Sequence, residues 1–483
     1  MVGTSPNGIL EGFVISAEEV ETMKGFFDPR SIAVVGASTS RGGNHLLQNV
    51  LRGHRGPVYP VNPNHQEIEG LRCYPKVESI PEEVELAVVF VPAAEVPGVL
   101  EDCARKGVKR VMIQSAGFAE VGPEGKELQQ RCLDLARSSG IRLWGPNCMG
   151  LVDVPRGLYL SFMHPRIHSA GLLPGNVSLV VQSGMLSAGF LADLAARGMM
   201  GVAKACSIGN KADLDECDIL EYLLEDPQTR AVAMYLESVP RGRRLVELAR
   251  DSSKPMVVVL GGRSLAGARA AMSHTSSLSG DLFLAERVLE AAGLFCARDF
   301  FQMMEVAKAL AMLPEVSERC ALAVLTFSGG AGILSCDLAD SHDIPMGSLC
   351  TDTVDRLKRI FPPWMPVSNP VDLYPALEKR GRVRTFMEAL EAVVGDPEVD
   401  AVLIHHFAGL EEECLDPQEA AALARSHGKA LLFWVLGLPE PVRSFQRRAL
   451  EAGVPVFREL STATQALGAV RNFWRKRRAM GSP

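Results

Sequence analysis

The sequence predicts an α/β protein of three doubly wound domains, each a parallel sheet covered by helices on both faces. Short β-branched runs bounded by Gly, Asn or Pro alternate with longer amphipathic stretches along the whole chain, which is the rhythm of strand–helix–strand units. A length of 483 residues exceeds one ordinary domain and suits about three. With 47% hydrophobic and 22% charged residues, the composition is that of a globular protein with a large core.

In the first third, strands are expected at 31–35, 58–62, 85–91, 110–114 and 141–144, with helical periods at 95–106 and 124–139. A second set begins at 177–182 and continues through 205–208, 231–236 and 256–260. The polar stretch PEVSER at 314–319 reads as a linker, and a third set opens at 322–326 and includes 401–405 and 430–435. The expected domains are therefore 1–152, 153–314 and 315–483. The last two open with similar text: LVVQSGMLSAGFLADLA (179–195) and AVLTFSGGAGILSCDLA (323–339) each run strand, Ser-Gly turn, helix. That similarity points to a repeated architecture.

Several function classes drop out. A net charge of −7 leaves no general footprint for nucleic acid, and the basic run RNFWRKRR (471–478) reads as a solvated terminal helix. The opening MVGTSPNGILEGF lacks the basic and apolar regions of a signal peptide, and no run of 18 apolar residues would span a membrane. The eleven cysteines form no CxxC and no Cys/His metal spacing, so they read as reduced thiols rather than metal ligands. A cytoplasmic enzyme is the expectation.

The first domain carries a glycine turn, SIAVVGASTSRGGN (31–44), where Gly36, Ala37 and Ser38 let the backbone approach a ligand. The helix that follows offers free N–H groups and a positive dipole end to phosphate. The spacing is not GxGxxG, and the second strand ends in Asn62-Pro63 rather than an acid, so a nicotinamide dehydrogenase fits poorly. The other strand ends are Val91-Pro92, Ser115-Ala116-Gly117 and Asn147 in GPNC, all small or polar. Ligands of open α/β sheets bind at the carboxyl ends of strands, so these loops should line one crevice for a nucleotide-like ligand.

In the second domain, AMSHTSSLSG (271–280) surrounds His274 with small hydroxylated residues. An imidazole with a pKa near ~6.5 is neutral and nucleophilic at physiological pH and can hold a phosphoryl group. Donors for the resulting charge are expected at two helix starts, Ser183-Gly184 and Gly329-Gly330-Ala331. Glu237, at the end of AVAMYLE, is the candidate to orient the ring; His405-His406 attracts no role.

GPNCMG (145–150), SIGNKADLDECDILEYL (207–223), YLES (235–238), MSHTSSLSG (272–280) and SNPVDL (368–373) together resemble the nucleoside-diphosphate-forming acyl-CoA synthetases, relatives of succinyl-CoA synthetase. The resemblance runs from about residue 26 to about 470. It implies a Rossmann-like CoA-binding domain followed by two flavodoxin-like domains. It implies CoA contacts at Gly36, Ser38, Asn62, Pro63, Val91, Ser115 and Asn147, phosphorylation of His274 held by Glu237, and a phosphate clamp from the helices after Ser183-Gly184 and Gly329. Ser276 and Ser279 stand where the family usually has glycine and commonly alanine. No ATP-grasp segment is found, so the resemblance implies an alpha-type subunit of a hetero-oligomer whose beta-type partner holds Mg-ADP or Mg-ATP. A non-catalytic CoA-binding regulator of the same fold, or a ligase or lyase acting on another acid, is the competing reading.

Overall fold

A computed structural model describes residues 17–169, 171–264, 266–267, 269, 282–409 and 414–479. The strands are, in chain order, β1 Ile32–Val35, β2 Val58–Val61, β3 Glu67–Ile68, β4 Leu71–Arg72, β5 Leu86–Val89, β6 Arg110–Ile113 and β7 Arg142–Trp144. They continue as β8 Gly150–Asp153, β9 Leu158–Leu160, β10 Pro174–Val181, β11 Val202–Ser207, β12 Ala231–Leu236, β13 Met256–Leu260 and β14 Phe295–Cys296. The last five are β15 Leu322–Thr326, β16 Val371–Asp372, β17 Ala401–Ala408, β18 Ala430–Gly437 and β19 Val456–Phe457.

Three large sheets result, ordered β2-β1-β5-β6-β7, β14-β13-β12-β10-β11-β8-β9 and β16-β15-β17-β18-β19, beside a two-stranded antiparallel β3–β4 sheet. The first and third are wholly parallel, and their strands are near-continuous apolar runs because both faces are covered. The second departs from the expected parallel sheet. Its edge hairpin β8–β9 pairs antiparallel with β11, Gly150 lying opposite Ser207. No strand was expected in VDVPRGLYL, where each strand is only three or four residues long.

The sheets share cores. Trp144 and Phe26 of the first unit pack in one apolar cluster with Leu220 and Met234 of the second, and Phe27 stacks on Tyr222 at 3.8 Å. The closing helices of the second and third units, Phe300–Met312 and Leu460–Ala479, lie against each other, so that Ala469 joins the core of the second sheet and Ala309 that of the third. Across this seam Lys308, fully buried, donates to the carbonyl oxygen of Val456 at 2.6 Å, pairs with Glu305, and sits 4.5 Å from the centre of the Phe457 ring.

The basic terminal run is helical but not simply solvated. Lys476 donates to the Glu290 carbonyl at 2.5 Å, Arg478 to Glu315 at 2.7 Å, and buried Arg477 to the Ser252 carbonyl. Lys476 and Arg477 cover carbonyls of the second unit, a use that composition alone does not reveal. No described helix is long and apolar enough to cross a membrane.

Candidate functional site

The turn after β1 needs glycine. Gly36 has φ +88°, and a Cβ there would sit 2.2 Å from the Phe90 carbonyl oxygen. Asn62, one residue past β2, donates through its amide to the Ala37 carbonyl at 2.8 Å and accepts from the Asn64 N–H at 2.9 Å, tying two strand ends together. A cavity of about 590 Å³ opens here, lined by Gly36, Asn62, Pro63, Val91 and Pro92. Lys76 and Arg105 also line it, two cations that no motif or periodicity marks in the sequence.

The remaining first-domain candidates do not line that cavity. Ala37 and Ser38 lie in the turn beside it, where the Ser38 hydroxyl donates to the Ser40 carbonyl at 3.1 Å. Ser115, Ala116, Gly117 and Asn147 occupy the next strand ends, towards the second unit. The Ser115 hydroxyl accepts from the Val91 N–H at 3.1 Å, and the Ser115 carbonyl accepts from the Asn147 N–H at 2.9 Å. Asn147 follows the cis Gly145–Pro146 bond and has φ +57°, a conformation asparagine tolerates better than most residues.

In the second unit Glu237 follows β12 and is buried, with 5% of its surface exposed. Gln182, just past β10, accepts from the N–H groups of Glu237 and Ser238 at 2.8 and 3.2 Å. The Tyr235 hydroxyl donates to Glu237 Oε1 at 3.2 Å, and burial, with the carboxylate second, pushes that phenol up to about 12. Gln182 was not singled out from the sequence; only its place at a strand's carboxyl end could have marked it. His274, Ser276 and Ser279 lie outside the described residues.

The two predicted helix starts share a geometry. Ser183 begins Gly184–Arg197 and Ser328 begins Gly329–Asp340, both in extended backbone and neither side chain capping the helix. Asp215 and Asp299, by contrast, cap their helices by accepting from Cys217 and Gln302 N–H groups. At Ser183 and Ser328 the N–H groups of Gly184 and of Gly329, Gly330 and Ala331 donate no bond to the N-cap side chain, and a helix start in that state favours an anion.

Beneath the Gly329 helix lies His405, wholly buried. Its Nδ1 is 2.9 Å from Thr326 Oγ1 and its Nε2 is 3.1 Å from Ser335 Oγ of the helix. Burial holds this ring neutral, its pKa lowered to about 3. His406 points to the other face and stacks on Phe445 at 4.2 Å, with neither ring nitrogen hydrogen-bonded among the described residues.

Comparisons with known proteins follow the same division. The CoA binding domain family matches residues 30–153, and the succinyl-CoA ligase like flavodoxin domain family matches residues 174–310. The ADP-forming acetate–CoA ligase I subunit alpha of Pyrococcus furiosus is 34% identical over 477 residues, covering 95% of this chain and 99% of that one. The ADP-forming acetate–CoA ligase II of Archaeoglobus fulgidus is 33% identical over 466 residues, covering 95% of this chain and 68% of its own. Among solved structures, the dinucleotide forming acetyl-coenzyme A synthetase 1 of Ca. Korarchaeum cryptofilum, in complex with phosphate and ADP, superposes with a TM-score of 0.82. It is 31% identical over 95% of this chain and 98% of its own.

Proposed function

We propose a phosphohistidine route for this chain, which belongs to the ADP-forming acyl-CoA ligase family and corresponds to that family's alpha subunit. An acyl-CoA and phosphate give an acyl phosphate and free CoA: a phosphate oxygen bonds to the acyl carbon as the carbon–sulfur bond breaks. A ring nitrogen of His274 then attacks phosphorus and the carboxylate leaves. The phosphoryl group passes to ADP on a partner chain of ATP-grasp type, which is also where Mg²⁺ would be held. The reverse sequence makes acyl-CoA from acid, CoA and ATP.

In this reading the cavity at Gly36, Asn62, Pro63, Val91 and Pro92 takes the nucleotide end of CoA, with Lys76 and Arg105 facing its phosphates. Ser115, Ala116, Gly117 and Asn147, with Ala37 and Ser38 in the first turn, guide the thiol end towards the second unit. Ser183 and Gly184 on one side, and Gly329, Gly330 and Ala331 on the other, supply backbone donors to the phosphoryl group. Glu237 accepts a hydrogen bond from the N–H of the His274 ring and leaves the other ring nitrogen free to attack.

The observation that carries the reading is the setting of Glu237. A carboxylate is held at the carboxyl end of a central strand by Gln182 through its backbone and by Tyr235 through its side chain. The partner is supported by exposed apolar side chains at the carboxyl edge of the third sheet, Tyr374, Phe407 and Leu438, a surface suited to cover by a second chain.

The test is to mix the chain with an ATP-grasp partner, Mg²⁺ and γ-labelled ATP. Acid-labile, base-stable label on a peptide containing His274, discharged by ADP or by a carboxylic acid with CoA, is the expected result. His274→Ala abolishes the label and leaves CoA binding intact. Residual turnover in His274→Asn would sink the assignment.

A further inference from the structure

The loop SIGNKAD (207–213) of the second unit lies against the strand ends of the first, far from His274 in sequence and given no role so far. Its backbone donates twice into the GPNC turn, Asn210 N to the Pro146 carbonyl at 2.9 Å and Ala212 N to the Gly145 carbonyl at 3.0 Å. The approach is close enough to require glycine at 209, where φ is +57° and a Cβ would meet the Pro146 carbonyl oxygen at 2.2 Å.

At the centre of this contact is a pair of side chains. Glu120 Oε1 accepts from the N–H groups of Gly117 and Phe118 at 2.6 and 3.1 Å, holding the loop after β6 in its bend. Glu120 Oε2 accepts from the Asn210 amide at 2.6 Å, across the boundary between the units. Asn210 donates as well to Gln129 at 3.0 Å, and its carbonyl oxygen accepts from the Asn147 amide at 3.2 Å. Two residues proposed to guide CoA, Gly117 and Asn147, are thus bonded to one hub, and half of that hub belongs to the unit that carries Glu237. Burial pushes the Glu120 carboxyl up, but the bonds from Asn210 and from the Gly117 and Phe118 amides outweigh it and hold the group ionised.

We propose that Glu120 and Asn210 are positioning residues that register the thiol end of CoA, bound by the first unit, against the phosphohistidine site of the second. Neither touches the reacting atoms. Their effect falls on the step in which both units must act together, the exchange between phosphoryl group, carboxylate and CoA. It does not fall on phosphorylation of the chain by its partner, in which CoA takes no part. The proposal rests on the phosphohistidine reading.

The experiment compares two half-reactions in the full chain with its ATP-grasp partner: uptake of label from γ-labelled ATP, and discharge of that label by acetate with CoA. In Glu120→Ala and Asn210→Ala, discharge at saturating CoA is expected to slow about 10- to 100-fold, the scale of a displaced reacting group. Label uptake should stay within about twofold, and melting temperature controls for folding. Glu120→Gln with Asn210→Asp reverses the donor and acceptor across the boundary and should recover discharge relative to Glu120→Gln alone and Asn210→Asp alone, a coupling that a merely structural loss would not show. Equal loss in both half-reactions, discharge unchanged, or no recovery in the double variant would overturn the proposal. A wild-type chain that takes no label would instead overturn the phosphohistidine reading itself.

Discussion

The helix starts at Gly184 and Gly329 are similar in sequence and backbone but rest on opposite chemistry. Both follow a central parallel strand and an extended serine that leaves the first turn uncapped. Beside the first lies an acid, Glu237, fixed through Gln182 and Tyr235. Beneath the second lies an imidazole, His405, buried between Thr326 and Ser335 and kept neutral. A repeated unit can therefore keep an uncapped helix start in both copies while one copy holds the acid and the other a neutral ring. On this view, side-chain changes near the Gly184 helix should register in turnover and changes beneath the Gly329 helix in stability.

Glu237→Gln puts the contrast to its hardest test. The amide keeps the shape and still accepts from Tyr235, yet loses the charge. Label uptake and discharge are each expected to fall about 10²- to 10³-fold, with the melting temperature little changed. A variant with near wild-type rates would erase the distinction between the two copies. His405→Leu is the mirror experiment: it removes the ring's bonds to the Thr326 and Ser335 hydroxyls, which keep their own bonds to the Ser328 and Ala331 carbonyls, and should cost about 1–2 kcal/mol in denaturant unfolding. Turnover per folded molecule should change far less than in the Glu237 variant.

Acid gives a third, smaller separation. His405 and His406 are lowered to about 3 and His168 to about 4, in each case first by burial. All three lie below the value near ~6.5 of a free imidazole, so the unfolded chain binds more protons in acid. Stability is complete above about 6.5 and falls as the pH drops from there towards 4. His406→Phe, on the ring with no hydrogen bond among the described residues, should flatten that fall by at most about 1.4 kcal/mol per pH unit in unfolding measured at pH 7 and 5. An unaltered slope would mean that this ring titrates normally. The smallest effect is steric. A Cβ at Gly329 would lie 2.9 Å from Asp372 Oδ2, whereas at Gly184 the nearest atom is 3.5 Å away. Gly329→Ala should therefore lower the melting temperature slightly more than Gly184→Ala does.

Much of the architecture was legible because its signals are local. Strands such as IAVV and MVVVL announce themselves by unbroken apolar runs rich in valine, and the helix starts by the Ser-Gly turn before a 3.6-residue period. Glu237 could be singled out from its place at a strand's end, and the Gly36 turn from small residues where a backbone must come close. What was missed is long-range and polar. Gln182 reaches Glu237 across 55 residues, His405 reaches Thr326 across 79, and Glu120 meets Asn210 across 90. Such bonds leave no periodic trace, and any glutamine or asparagine in a loop looks alike. The β8–β9 hairpin escaped for a related reason, since its partner strand lies some fifty residues away.

The seam between the closing helices bears on how the molecule comes apart. Each helix contributes to the core of the other unit's sheet, and the Lys308 ammonium finds its carbonyl and its aromatic face only across the boundary. A chain cut at the polar linker would leave that charge stripped of both contacts beside an uncovered apolar stripe. In calorimetric terms the second and third sheets should count as one cooperative unit, melting in a single endotherm.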